Sequence, residues 1–499
     1  MSDPLALLPL ALAAGAGTIS VDDGSAHYEA QQLVAAGLTL LQRSAPLVRA
    51  LSGRRSAILL PTSPAFFTAL AASDGRGAVL VDPLAAPIEI ERQCRDADVG
   101  AVFTTSAFAP RLPAGMVTVL LDEAPRRARV LAQGIAREVD LGSHHGLDLA
   151  GERGVSGRDE EAAIVYTSAI RGTPLGAVLT HANLLANARS TIQAVDNSPA
   201  DRVLALLPFA YPFGLTVTGS APLLAGAQVI TMSRFDPVRA VALLERSVTE
   251  IVGVSTVFRA LLSAIERRGQ PMRGTALRAC ICGGAPLSVD LQDRWAEATG
   301  VELRQSYGVT EASPVCLFND IARPNMRGTL GVAYPHVDVD IFPPMASGAD
   351  ASPADMTPLA IGTPGEICVR GENVFRGYLG GSTAGLTRRG EWLCTGDRGV
   401  RNADGTVAFL GVIKRMFTCN GFNVYPAEIE HAACELAGVI DAEARAAPDP
   451  ETENDILLRV RGAVTVDVVR AWCAERLSAY KQPRVIELVE DRVGEVGRL

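Results

Sequence analysis

The chain has 499 residues, enough for two to four globular units at roughly 100–200 residues each. Hydrophobic residues make up 48% and charged residues 20%, which excludes wholesale disorder. The net charge is −9 with no block of like charge, so a nucleic-acid-coating role is excluded as well. Of the 46 basic residues only Lys414 and Lys481 are lysine. That bias points to codon usage, and under it a lost lysine should most often become arginine.

The nine cysteines run from Cys94 to Cys473 without a C-x-x-C pair, and Cys280 and Cys282 stand too close for zinc-finger spacing. The six histidines do not cluster with them, so no metal site is read from ligand spacing. With no recognisable secretory leader, the expectation is reduced thiols in a cytoplasm. The apolar stretch Leu5–Ala14 follows Asp3 and falls short of the ~20 residues a bilayer span requires. It is expected to be a buried helix, and no membrane span is expected.

In chain order, Ala57–Leu60 and Gly77–Val81 read as strands, and Pro64–Ala72 and Glu89–Ala97 as helices, the first with Ser63 as N-cap. Such alternation predicts parallel α/β units. Ala163–Tyr166 reads as a buried strand, followed by a small-residue loop and a helix over His181–Ala194. Val203–Leu207, Gln228–Thr231, Ile251–Val254 and Leu277–Cys282 are strand-like. From about Gly331 the texture becomes β-rich, with Val337–Phe342, Gly365–Arg370 and Gly405–Leu410, while Met345–Pro358 reads as a surface loop. A second change at Lys414–Asn420 predicts a large body over 1–414 and a small α+β domain over 415–499, joined by a hinge.

Residues 166–185 read YTSAIRGTPLGAVLTHANLL. A strand entering a Ser/Thr/Gly loop and then a helix is a phosphate-cradle arrangement, because free backbone N–H groups there face an anion. Further blocks follow: LPFAYPFGL at 207–215, GGAPLS at 283–288, QSYGVTE at 305–311, GTPGEICVRGENVFRGY at 362–378 and TGD at 395–397. GFNVYPAEIE at 421–430 and YKQP at 480–483 complete the set. In this order the blocks resemble the adenylate-forming (acyl-activating, AMP-binding) superfamily, which includes acyl-CoA and aryl-CoA ligases, over nearly the whole chain. The resemblance implies a large α/β body of several subdomains and a mobile C-terminal domain.

By that resemblance Thr310 and Glu311 stand beside ATP and its Mg²⁺, an ion that prefers oxygen ligands. Asp397 matches a ribose-binding aspartate, Tyr307 an aromatic on adenine, and Gly283 and Gly284 a backbone strip beside the base. Read alone, Thr310 and Glu311 could cap a helix and Asp397 could close a turn. Ser168 and Gly172 fall in the phosphate loop, and Lys414 at the hinge. Tyr211 replaces the family's usual histidine and, with Phe213, Gly253 and Ser306, is expected to bound an apolar acyl pocket. Gly421 and Phe422 match the loop that closes on the thiol tunnel.

The chain also departs from the family's pattern. The loop runs Ser168-Ala169-Ile170-Arg171-Gly172 where the family has Ser-Gly-Thr-Thr-Gly, and alanine withdraws some of the freedom glycine gives a backbone near phosphate. The family's Pro-Lys-Gly lysine is Leu175 and its ribose-facing arginine is Val412. At the family's C-terminal lysine, an ungapped register places Leu499, and small gaps place Arg498 or Glu495. Losing one preorganised charge partner costs on the order of 3 kcal/mol, so three such losses would cripple adenylation even without additivity. The resulting expectation is an ATP-free acyltransferase. A coenzyme A thioester would be its acyl- or aryl-CoA donor and an acyl carrier protein its acceptor. A residual ligase using ATP and Mg²⁺, and a non-catalytic scaffold, are the alternatives. His144-His145-Gly-Leu-Asp148 has the H-x-x-x-D spacing of some acyltransferases, without the glycine that usually follows the aspartate.

Overall fold

The structure is a computed structural model that describes residues 8–73, 77–142, 159–167, 174–344, 357–382, 387–413, 415–419, 421–449 and 453–489. Two nine-stranded sheets form the body. In the first, Thr18–Val21, Gln228–Thr231, Arg202–Ala205, Glu250–Gly253, Ala279–Cys282 and Leu303–Gly308 run parallel side by side. The second has Glu161–Thr167, Ala78–Leu80, Arg55–Leu59, Val99–Thr104 and Val117–Leu121 as its parallel centre. Nearly every residue of these strands is buried, as expected when helices cover both faces. The expected strands and helices all occur, with ends shifted by a few residues.

Local chemistry explains the boundaries. The helix Ala65–Ala72 is capped differently from expectation: Pro64 holds the cap position in helical geometry. Ser63 contributes its backbone carbonyl, which accepts from the Phe66 N–H. The helix His181–Val195 has a reciprocal cap, the Thr180 hydroxyl accepting from the Asn183 N–H and the Asn183 side chain accepting from the Thr180 N–H. At the sheet's far edge, Arg127–Ala132 and Ile135–Asp140 join through Gln133 and Gly134, both left-handed at φ 50° and 76°. That turn matches the twist of an antiparallel hairpin. The N-terminal apolar stretch forms a buried helix over Leu8–Ala14, and no helix among the described residues is long and apolar enough to cross a membrane.

A third sheet is antiparallel, with Val337–Phe342, Gly365–Gly371, Trp392–Arg401 and Thr387–Arg389 in order and Val407–Val412 also paired to Trp392–Arg401. The C-terminal unit has its own core, from Cys419 and Val424 through Ile429, Leu458 and Val469 to Leu477. Its strands Val439–Asp449, Glu453–Gly462 and Val485–Leu488 carry the helices Pro426–Cys434 and Val466–Arg476. The chain is therefore an α/β body with a smaller α+β domain after it.

Candidate active site

A cavity of about 750 Å³ lies where the carboxyl ends of the parallel strands converge. Leu206–Pro212 follows the strand Arg202–Ala205, Val254 follows Glu250–Gly253, Gly284–Pro286 follows Ala279–Cys282, and Tyr307 ends Leu303–Gly308. From the second sheet, Asp82 follows Ala78–Leu80 and Thr167 ends Glu161–Thr167. Open parallel sheets bind ligands at this end, because the loops there are free to carry function.

One wall is polar. The Tyr307 hydroxyl donates to Asp397 Oδ2 at 2.7 Å. Burial, and then the neighbouring Asp397 charge, push the tyrosine pKa up, so it keeps its proton and donates. Asp397 sits on Trp392–Arg401, held in place because Thr395 Oγ1 donates to the Ile367 carbonyl at 2.9 Å and the Gly396 N–H donates to Glu366 at 3.0 Å. Thr310 and Glu311 form a short helical turn, and Glu311 Oε1 accepts from the Tyr378 hydroxyl at 2.6 Å. Thr310, Glu311, Tyr307, Asp397 and Gly284 thus share one cavity.

The lining also has an apolar part, with Leu207, Pro208, Phe213, Val254 and Val257, along with Tyr211 and Ser306. Tyr211 donates to Asp82 Oδ2 at 2.8 Å, and burial raises the Asp82 pKa. Gly253 and Gly283 are not on the lining. A Cβ on Gly283 would come within 2.5 Å of Ser306 Oγ and 2.7 Å of the Phe213 ring, so this glycine lets those two side chains close the wall behind it. Gly253 backs onto Val257 and Phe258 instead.

The C-terminal unit closes the cavity. Gly421 and Phe422 lie in and beside the turn between Phe417–Cys419 and Phe422–Val424 and reach the lining. A Cβ on Gly421 would meet Val254 at 2.8 Å, and its φ of +78° favours glycine anyway. Phe422 stacks on Tyr480 with ring centres 4.3 Å apart and leans on Tyr211 at 6.2 Å. Lys481 Nζ bonds Glu89 Oε1 at 2.8 Å and Glu428 Oε1 at 2.9 Å, and the Ser478 hydroxyl donates to Glu89 Oε2. Glu89 belongs to the body, whereas Ser478, Lys481 and Glu428 belong to the C-terminal unit. Burial alone would lower the Lys481 pKa, but Tyr480, Glu428 and Glu89 hold it raised. Burial would raise the Glu89 pKa, but the Lys481 charge together with the hydrogen bonds from Lys481, Ser478 and the Ala86 N–H holds it lowered.

Sequence reading missed this ion cluster. The available signal was Lys481, one of two lysines in a chain that otherwise uses arginine. Ser168, Gly172, Lys414, Glu495, Arg498, Leu499 and the His144-His145 motif lie outside the described residues. Leu175 starts the strand Leu175–Thr180 and packs against the core; it is not on the cavity lining. Val412 does line the cavity, directly opposite Asp397 in the sheet.

A family profile described as AMP-binding enzyme matches residues 47–379. A feruloyl-CoA synthase of Amycolatopsis sp is 31% identical over 446 residues, covering 88% of this chain and 85% of the relative. A long-chain-fatty-acid–CoA ligase of Bacillus subtilis is 27% identical over 472 residues, covering 87% and 82%. Among solved structures, an o-succinylbenzoate CoA synthetase of B. subtilis superposes with TM-score 0.75 at 23% identity, covering 93% and 90%. An amide bond synthetase of Marinactinospora thermotolerans gives 0.77 at 21%, covering 97% and 95%. These relatives overturn the expectation of ATP-free transfer from a thioester to a carrier protein, since the sequences matched along most of the chain are named as CoA synthases and CoA ligases. The physical reason lies at the polar wall: the expectation weighed only the lost cations, whereas the Tyr307–Asp397 and Tyr378–Glu311 hydrogen bonds are in place there.

Proposed function

Because this chain belongs to the AMP-binding enzyme family, we propose that it is an ATP-dependent acyl-CoA ligase. In the first step a carboxylate oxygen of the acid attacks the α-phosphorus of ATP and pyrophosphate leaves. In the second, the thiol sulfur of coenzyme A attacks the acyl-adenylate carbonyl and AMP leaves. The observation that carries this reading is the shared cavity. Tyr307, Asp397, Thr310 and Glu311 line it together with the apolar Phe213, Val254 and Val257 and with Gly421 and Phe422 of the C-terminal unit.

In this reading Asp397, held by Tyr307, accepts the ribose hydroxyls, and Gly284 and Tyr307 flank the base. Thr310 and Glu311 present hard oxygen donors at the cavity, a donor set suited to Mg²⁺. A bound Mg²⁺ supplies charge neutralisation on the phosphates. Phe213, Val254 and Val257 exclude water around the acyl group and favour an apolar, aromatic or medium-chain acid. Gly421 leaves room at Val254 for a pantetheine arm to pass. The C-terminal domain over 415–499 is the part that moves between the two steps, and Lys481 docks it in the orientation seen here.

The test is incubation with ATP, Mg²⁺, coenzyme A and a panel of aryl and fatty acids, with AMP and acyl-CoA read by mass spectrometry. AMP and thioester should appear in equal amounts with at least one acid and vanish without ATP. A thioester formed equally well without ATP would sink the proposal.

A further inference from the structure

Outside the cavity, one cluster of reactive side chains is unused by this chemistry. Cys368 and Cys394 stand directly opposite each other on the antiparallel strands Gly365–Gly371 and Trp392–Arg401. Directly opposed residues of such a pair have Cα atoms about 4.5–5.5 Å apart, inside the window that a disulfide spans without moving the backbone. Their sulfurs are already 3.1 Å apart, with Cys368 Sγ donating to Cys394 Sγ. Both are buried in one cluster with Phe342, against which Trp392 packs. Three other buried cysteines are inert by comparison: burial pushes the Cys94, Cys280 and Cys316 thiols up to about 12.

The surroundings single out Cys394. The Cys368 thiol donates to it and the buried Arg389 guanidinium lies beside it, and together these lower its pKa; the same sulfur–sulfur bond, with burial, raises that of Cys368. Glu366 is close enough to complete a three-ligand group with the two sulfurs. Arg389, however, places a fixed positive charge against that group, which opposes a metal cation and favours a thiolate. Position matters too. Cys394 is followed by Thr395, Gly396 and Asp397, the segment whose hydrogen bonds to Ile367 and Glu366 hold the Asp397 carboxylate against Tyr307.

We propose that Cys368 and Cys394 form a reversible dithiol–disulfide modification site, oxidised by a small hydroperoxide, that couples thiol state to the nucleotide wall through Asp397. The Cys394 thiolate attacks a peroxide oxygen, the O–O bond breaks, and a sulfenic acid and hydroxide form. The Cys368 sulfur then attacks that sulfenic sulfur, the S–O bond breaks and water leaves. Two thiols and one hydrogen peroxide give one disulfide and two waters, a two-electron oxidation of sulfur. Bond formation draws the sulfurs together by about 1 Å. The shift falls three residues from Asp397, so nucleotide affinity drops; this last link rests on the proposed ligase reading.

The test uses the full chain, reduced and then titrated with hydrogen peroxide, followed by thiol counting, intact mass and peptide mapping. The expected result is loss of two of the nine thiols, a mass decrease of about 2 Da, and a mapped Cys368–Cys394 linkage reversed by dithiothreitol. Cys394→Ser, or Cys394→Ala should serine destabilise the sheet, should abolish the linkage. Calorimetric titration with ATP should then show affinity about tenfold weaker for the oxidised chain than the reduced one, a difference absent in the Cys394 variant. Retention of the Cys368 and Cys394 thiols at peroxide levels that oxidise the exposed Cys434, or a linkage elsewhere, overturns the site. A mapped linkage with unchanged ATP affinity overturns the coupling. If the reduced chain binds no ATP, the ligase reading fails while the mapped linkage still decides the modification site.

Discussion

Replacing Lys481 with methionine leaves Glu89 and Glu428 facing one another without the cation between them, their side chains 4% exposed each. Removing one member of a buried ion cluster costs about 3–5 kcal/mol, because the remaining charges stay desolvated. Here the cost has a specific address. Glu89 is on the body and Glu428 on the C-terminal unit, so undocking lets both carboxylates hydrate without unfolding either core. The docking equilibrium should shift toward release by roughly 10²–10⁴. Limited trypsin digestion at Arg415, near the boundary, should quicken accordingly, and small-angle scattering should report an expanded particle. Adding Glu428→Gln should restore part of the docking by removing one uncompensated charge. In the native chain Glu89 is lowered from 4.5 and Lys481 raised from 10.5. The carboxylate's contribution is therefore present above pH 4.5 and lost only as pH falls through its lowered value. The ammonium's contribution is present below pH 10.5 and lost only as pH rises through its raised value. Docking should be flat between about pH 5 and 10. A Lys481→Met protein with native digestion rate and native scattering would refute this reasoning.

Tyr307→Phe removes the donor to Asp397; a hydrogen bond to a charged group contributes about 1.5–3 kcal/mol, so calorimetry should find ATP bound at least tenfold more weakly with the fold unchanged by circular dichroism. Gly421→Val places a side chain against Val254 at a left-handed backbone position; thioester formation should fall at least tenfold while pyrophosphate exchange persists, as rapid-quench measurement of the two steps would show. Glu250 is fully buried and its pKa is raised from 4.5 to about 7, first by desolvation. Its favourable contribution is present below pH 4.5 and lost as pH rises through 7, so denaturant unfolding should show the wild type losing about 3 kcal/mol relative to Glu250→Gln across that window.

The parts that the sequence made legible were those written in local order. Alternation of strands with helices announced the parallel sheets, and the residues Tyr307, Thr310, Glu311 and Asp397 of the motif blocks meet at one cavity. What local order could not express was which residues face each other across long separations. Glu89 and Lys481 are 392 residues apart, and only docking of the two units shows that a lone lysine stands between two carboxylates. The register that sets Cys368 against Cys394 depends on an irregularity between Glu366 and Cys368, which no hydrophobic alternation reveals. Leu175 shows the opposite case: the sequence names the residue, while its packing against the core and off the cavity lining is settled only by the fold.

Activation of a carboxylic acid by ATP is the step on which the functional account stands. Carboxylate-dependent exchange of labelled pyrophosphate into ATP, measured without coenzyme A across aryl and fatty acids, isolates that step. The account predicts acid-dependent exchange with at least one apolar acid, weakened at least tenfold in Tyr307→Phe. Absence of exchange with every acid, from a protein that binds ATP and keeps its native fold, would contradict it.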